Sequence, residues 1–114
     1  MAKISKGELW IDNVLAGMIA PPWTREHHFH PTRDFSMDFA WPDLLICIEY
    51  EGKGHSRWNR YHSDVDKYNL AELLGWTVFR ITFKQLDDGT AISWMRLFVD
   101  YIKREHDQDD QDDP

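Results

Sequence analysis

Residues 33–51 read RDFSMDFAWPDLLICIEYE, and the way this stretch pairs with itself decides the fold. Its first half alternates, with Phe35, Met37 and Phe39 on one side of an extended chain and Ser36, Asp38 and Ala40 on the other. Its second half is an apolar run, LLICI, that ends in Glu49 and Glu51. Only Pro42 and Asp43 separate the halves, so the spacing predicts a hairpin on a two-residue turn, with Pro42 at the first central position. In that register Trp41 opposes Leu44, Phe39 opposes Ile46 and Asp38 opposes Cys47. Opposed residues share a face, so Asp38 falls on the side of Cys47, Glu49 and Glu51, with Glu49 its diagonal neighbour at roughly 7–8 Å. Lys53 joins that side if the strand continues.

Three carboxylates at one end of a sheet repel one another. A hard divalent cation relieves the repulsion, because Mg²⁺ and Mn²⁺ take carboxylate and water oxygens. Such an ion can activate a water and neutralise charge on a transferring phosphoryl group. Lys53 beside it can orient that water or stabilise developing charge. The plain alternative is a solvated strand end, in which Glu49 and Glu51 do no chemistry.

Outward from the hairpin, residues 6–20 read as a helix with Leu9, Ile11, Val14, Leu15, Met18 and Ile19 as its apolar positions, stopped by Pro21-Pro22. Residues 24–32 read as a first strand ending near Pro31. Residues 52–60 form a polar, glycine-containing loop, and residues 61–75 a helix with Gly75 just past its end. Residues 76–83 alternate as a strand, and residues 88–105 give a last helix capped near Thr90. The order α-β-β-β-α-β-α describes an α/β domain whose mixed β-sheet is flanked by helices.

With 114 residues, a single domain is expected, spanning residues 1–104. The net charge of −7 is misleading, because residues 105–114 hold six acids and no Lys or Arg. The other 104 residues carry 13 basic and 14 acidic side chains, so the body is nearly neutral and a nucleic-acid partner is not excluded. The acidic end is expected to be a disordered tail. One cysteine, Cys47, rules out an internal disulfide framework and reads as a small core residue. No stretch resembles a signal peptide or reaches the about 18 apolar residues of a membrane span, so no membrane partner and a cytoplasmic location are expected.

Together these words resemble the PD-(D/E)XK nuclease superfamily, and within it the small phage and bacterial endonucleases akin to very-short-patch repair endonucleases and Holliday-junction resolvases. The resemblance covers residues 25–85: a DFA strand, an IEYEG strand, a histidine-containing loop, a D-x-x-K-Y-N helix and a GW-x-V-x-R strand, in that order. It implies a restriction-endonuclease-like core and a metal-dependent DNA endonuclease that uses Mg²⁺ or Mn²⁺. Structure-specific cleavage of branched DNA is the implied sub-class, with repair or restriction-type nicking as the alternative. Resolvase-like relatives commonly work as homodimers. Carried over by position, the first metal-binding aspartate is Asp38 and the second acidic position is Glu49. The third is open between Glu51 and Lys53, with Asp38, Glu49 and Glu51 preferred as the metal-holding acids and Lys53 as an auxiliary. The literal Pro42-Asp43 falls in the turn and is set aside, and Met37 rather than proline precedes Asp38. Glu26 resembles an upstream glutamate that some members add to the metal site, and His55 a loop histidine that assists catalysis. Asp64 and Lys67 match the helix pattern, Lys67 as a group that supports the site or touches phosphate.

The loop HSRWNRYH interleaves Arg57 and Arg60 with Trp58 and Tyr61, and basic groups hold phosphates while aromatic rings stack on bases. Arg25 and Arg33 supply further positive charge. His28 and His30 could share a face with Glu26, but zinc normally needs a clearer ligand set. A non-catalytic DNA-binding module on a nuclease fold is the competing class, since fold alone does not fix function.

Overall fold

The computed structural model describes residues 4–52 and 58–111, the side chains of residues 58–63 and 110–111 excepted. The chain runs α1 (Lys6–Gly17), β1 (Thr24–His28), β2 (Ser36–Trp41), a 3₁₀ turn (Pro42–Leu44), β3 (Ile46–Glu51), α2 (Trp58–Leu73), β4 (Thr77–Thr82), α3 (Phe83–Asp88) and α4 (Ala91–Gln111). The four strands form one sheet in the order β1-β2-β3-β4. β1, β2 and β3 pair antiparallel, and β4 returns through α2 to lie parallel to β3. Among the described residues no helix is long and apolar enough to cross a membrane.

The alternation of β3 sorts the core. Ile46 and Ile48 pack with Ile11 and Leu15 of α1 and with Met95, Val99 and Ile102 of α4. Cys47, on the opposite face, packs with Ala40, Ala71 of α2 and Trp76. Apolar side chains on both faces explain the unbroken LLICI run, which a one-sided sheet would not need.

The turn differs from the two-residue hairpin the spacing predicts. Pro42 opens a 3₁₀ turn, and Leu45 closes it in the left-handed region at φ 57°. A tight two-residue hairpin favours positive φ at its first central position, which proline's ring forbids. The turn therefore takes two more residues, and Trp41 pairs with Ile46, Ala40 with Cys47 and Phe39 with Ile48. A shift of two preserves faces. Asp38 is thus carried from the position opposite Cys47 to the one opposite Glu49, its diagonal neighbour in the predicted register.

Three further expectations change. Met37 and Phe39 do not share a face: Met37 packs in the α2 core and Phe39 in the α1/α4 core. Residues 83–88 form a helix where the alternation predicts a strand through Phe83, because Thr82 and Gln85 cap each other reciprocally and Gly89, at φ 84°, ends the turn. Gln85, two residues past the predicted last strand, is one half of this cap. Finally, α4 continues through residues 105–111, where the composition predicts a disordered tail. Adding a residue to a helix already nucleated on the core costs far less than starting one.

Candidate active site

Beyond Phe39 and Ile48 the β2–β3 pairing gives way to side chains. Tyr50 N donates to Asp38 Oδ2 at 2.8 Å, where a strand carbonyl would otherwise accept, and Asp38 N points at Glu49 Oε2 at 3.4 Å. Across the sheet, Arg25 pairs with Phe39 and His27 with Met37, so Glu26 sits opposite Asp38. Glu26 has φ 52°, a left-handed conformation unusual inside a strand. This residue and Asp38 mark the place where the pleat breaks, which is why Met37 and Phe39 face different cores. Strained backbone of this kind persists where its surroundings over-determine it.

One oxygen each from Glu8, Glu26 and Asp38 lies within 4.8 Å of the others. Glu26 is raised above the ordinary carboxylate range, first by burial and then by the charges of Asp38 and Glu8. Glu8 comes from the first turn of α1. Its Oε2 accepts from Ser5 Oγ at 2.9 Å while Ser5 Oγ caps Glu8 N at 3.1 Å. Its Oε1 meets Arg25 Nη2 at 2.8 Å. The first turn is seated on the sheet by Tyr50, whose ring lies so close to Gly7 that an added Cβ would fall 2.1 Å from Cζ.

On the α2 side, Glu49 is 3% exposed. Lys67 Nζ lies 2.6 Å from its Oε1, an ion pair outside the geometry of a directed hydrogen bond. Burial, and then the neighbouring Asp38 charge, outweigh the ammonium and push the Glu49 carboxyl up to about 8. Burial likewise pushes the Cys47 thiol up, which suits an inert core residue.

The structure thus brings Asp38, Glu49, Glu26 and Lys67 together and adds Glu8 and Arg25. Glu51 is not in the trio of converging acids; it lies 3.3 Å from Arg80, whose guanidinium stacks 3.8 Å over Tyr68. Arg33 sits 4.7 Å over Phe35 and 3.8 Å from Asp66. Lys53, His55 and Arg57 lie outside the described residues, as do the side chains of Trp58 and Arg60 at the start of α2. Glu8 carried a local signal, the S-x-x-E pattern of a capping box, but nothing near it in the chain points to the acids 18 and 30 residues on.

No protein-family model matches the chain, and no curated protein matches it. Among solved structures, the catalytic domain of the homing endonuclease I-Bth0305I is similar, with a TM-score of 0.66 and 18% identity, over 83% of this chain and 94% of that domain. At this identity the likeness is one of fold: a mixed four-stranded sheet flanked by helices.

Proposed function

We propose that this chain is a metal-dependent DNA endonuclease that hydrolyses phosphodiester bonds. The observation that carries the reading is the convergence of Glu8, Glu26 and Asp38 where β2 and β3 part, beside the buried Glu49–Lys67 pair. The homing endonuclease whose catalytic domain has the same fold lends support. An all-carboxylate oxygen set fits Mg²⁺ or Mn²⁺. When bound, such an ion supplies charge neutralisation at phosphate and a more acidic water.

The chain's own residues have separable roles in this reading. Glu8, Glu26 and Asp38 hold the ion. Glu49 braces Asp38 from the adjacent strand and carries Lys67, whose ammonium supplies positive charge at the carboxylates. Glu51, held by Arg80, is placed outside the ligand set. Lys53, His55, Arg57, Trp58, Arg60 and Arg33 remain assigned to assisting the reaction or holding DNA. Branched DNA is the substrate class taken from the resolvase resemblance, and a homodimer accompanies it because two strands must be cut.

A second reading has its own observation. Arg25 and Lys67 already balance much of the acidic charge from within. A DNA-binding module that performs no cleavage could keep these acids as structural ion pairs. A labelled four-way junction and plain duplex, each incubated with Mg²⁺, Mn²⁺ or EDTA, separate the two. Cleavage that needs metal and disappears in Asp38→Ala supports the endonuclease. Binding without metal-dependent cutting supports the module, and cutting that survives Asp38→Ala overturns the site assignment. Nicking of duplex alone keeps the enzyme but replaces the junction as its substrate.

A further inference from the structure

Arg25 makes more polar contacts around the acidic set than its place in a basic stretch suggests. Its Nη2 lies 2.8 Å from Glu8 Oε1 and 3.8 Å from Glu26 Oε1. Its Nη1 lies 2.7 Å from Asp12 Oδ2, one helical turn along α1. Its Nε donates to the backbone oxygen of Asp38 at 2.8 Å. The guanidinium also packs 4.2 Å over the ring of Phe39. One side chain therefore touches all three acids of the trio, two through their carboxylates and one through its backbone, and joins α1, β1 and β2.

We infer that Arg25 is the positioning residue of the cation site, a planar clamp that sets Glu8 on its helix against Glu26 and Asp38 on their strands. The inference rests on the endonuclease reading for the presence of a cation and adds a role that motif position does not supply. Two features favour a positioning role over simple charge balance. The guanidinium uses Nε, Nη1 and Nη2 on three separate partners, a fork that a point charge such as lysine cannot reproduce. It also packs over the Phe39 ring, which fixes the plane in which those donors lie. Groups that orient ligands from behind commonly change metal affinity by about 10–100-fold when altered.

The direct probe is Mn²⁺ binding, read from the loss of the free-ion electron paramagnetic resonance signal on adding the full chain. Arg25→Lys keeps the positive charge and removes the fork, so the electrostatic attraction of the site for cations is held constant. Mn²⁺ should bind about tenfold more weakly to Arg25→Lys, with the far-ultraviolet circular dichroism of the folded chain retained. A lower unfolding temperature with unchanged Mn²⁺ affinity would show a purely structural residue and overturn the proposal. So would tighter binding. Should Arg25→Lys fail to fold, the unaltered chain gives the second measurement. The ¹⁵N-labelled Arg25 Nε–Hε resonance should move on titration with Mg²⁺, with the midpoint at which Mg²⁺ displaces Mn²⁺. A resonance that stays fixed at saturation refutes the coupling. Failure of the unaltered chain to bind Mn²⁺ removes the metal reading itself, and the proposal with it. Loss confined to Arg25→Lys leaves that reading standing.

Discussion

Gly7→Ala is the sharpest test of how α1 is seated. A Cβ built at Gly7 lies 2.1, 2.4 and 2.6 Å from Tyr50 Cζ, Cε2 and Cε1. To restore ordinary contact at 3.4 Å, ring and helix must separate by about 1.3 Å. The ring cannot simply swing aside, because Tyr50 packs against the α1/α4 core and its backbone N–H is held by Asp38. Overpacking of this size costs about 2–3 kcal/mol. Replacing glycine by alanine in a helix returns up to about 1 kcal/mol, less in a first turn. The net expectation is a loss of about 1–2 kcal/mol, or roughly 3–8 °C in Tm for a domain of this size. Urea unfolding followed by tryptophan fluorescence measures it. Shortening the partner should relieve the clash: Gly7→Ala combined with Tyr50→Ala should be more stable than the two single losses added together, by about 1 kcal/mol or more. A neutral or stabilising Gly7→Ala, or strict additivity in the double variant, refutes the packing argument.

Glu49→Gln should change the pH dependence of stability. The Glu49 carboxyl titrates near 8 when folded against an ordinary value of 4.5. The folded chain therefore holds a proton that the unfolded chain has lost between those values, and stability falls as pH rises through that window. Urea midpoints should decline from pH 5 to pH 8 in the unaltered chain and less in the variant; parallel profiles would count against the assignment. Glu26→Asn should raise stability by about 0.5–1 kcal/mol, because asparagine tolerates left-handed backbone and removes a repelled charge. Its Mn²⁺ affinity should fall at the same time, and a variant that is less stable would show that φ 52° carries no strain. Leu45→Asn should stabilise by a similar amount through the left-handed residue that closes the 3₁₀ turn, minus the packing of a leucine that is 40% exposed. Thermal unfolding reads the balance.

The hairpin shows what local pattern can and cannot specify. The apolar alternation of residues 35–41 and the run at 44–48 were enough to place Asp38 and Glu49 on one face, because faces depend only on parity. The turn depends on φ at particular residues. Pro42 suited a turn but not the tight one, so the register moved by two and parity survived. Met37 and Phe39 escaped the same reasoning because the pleat breaks at Glu26 and Asp38, where paired side chains and a left-handed glutamate replace regular strand geometry. Period-2 reading assumes an unbroken ladder, and the candidate site is where the ladder stops. Residues 82–89 were legible in principle, since T-x-x-Q followed by glycine is a helix-start and helix-stop signal. The apolar alternation of WTVFRITF ran into it and hid the boundary.

Glu8 was hidden for a different reason, Arg25 was legible only as general positive charge, and Lys67 was reached through the family resemblance rather than through local pattern. Each reaches the acids from another element, and charge carries no periodicity that announces a distant partner. Their placement nonetheless follows from one requirement. Parting β2 from β3 leaves carboxylates gathered where strand bonds would have been, and like charges so close cannot share low-dielectric surroundings without compensation. The fold answers with a fixed cation on each face of the sheet: Arg25 toward α1, and Lys67 from α2. The two differ in what they leave behind. Lys67 meets an acid so buried that its carboxyl still tends to hold a proton. Arg25 meets Glu8 and Glu26 at a more open edge, where one oxygen from each still lies within reach of Asp38. A cation entering from solvent therefore has a better place on the Arg25 side, which favours the proposed ligand set of Glu8, Glu26 and Asp38 over one of Asp38, Glu49 and Glu51.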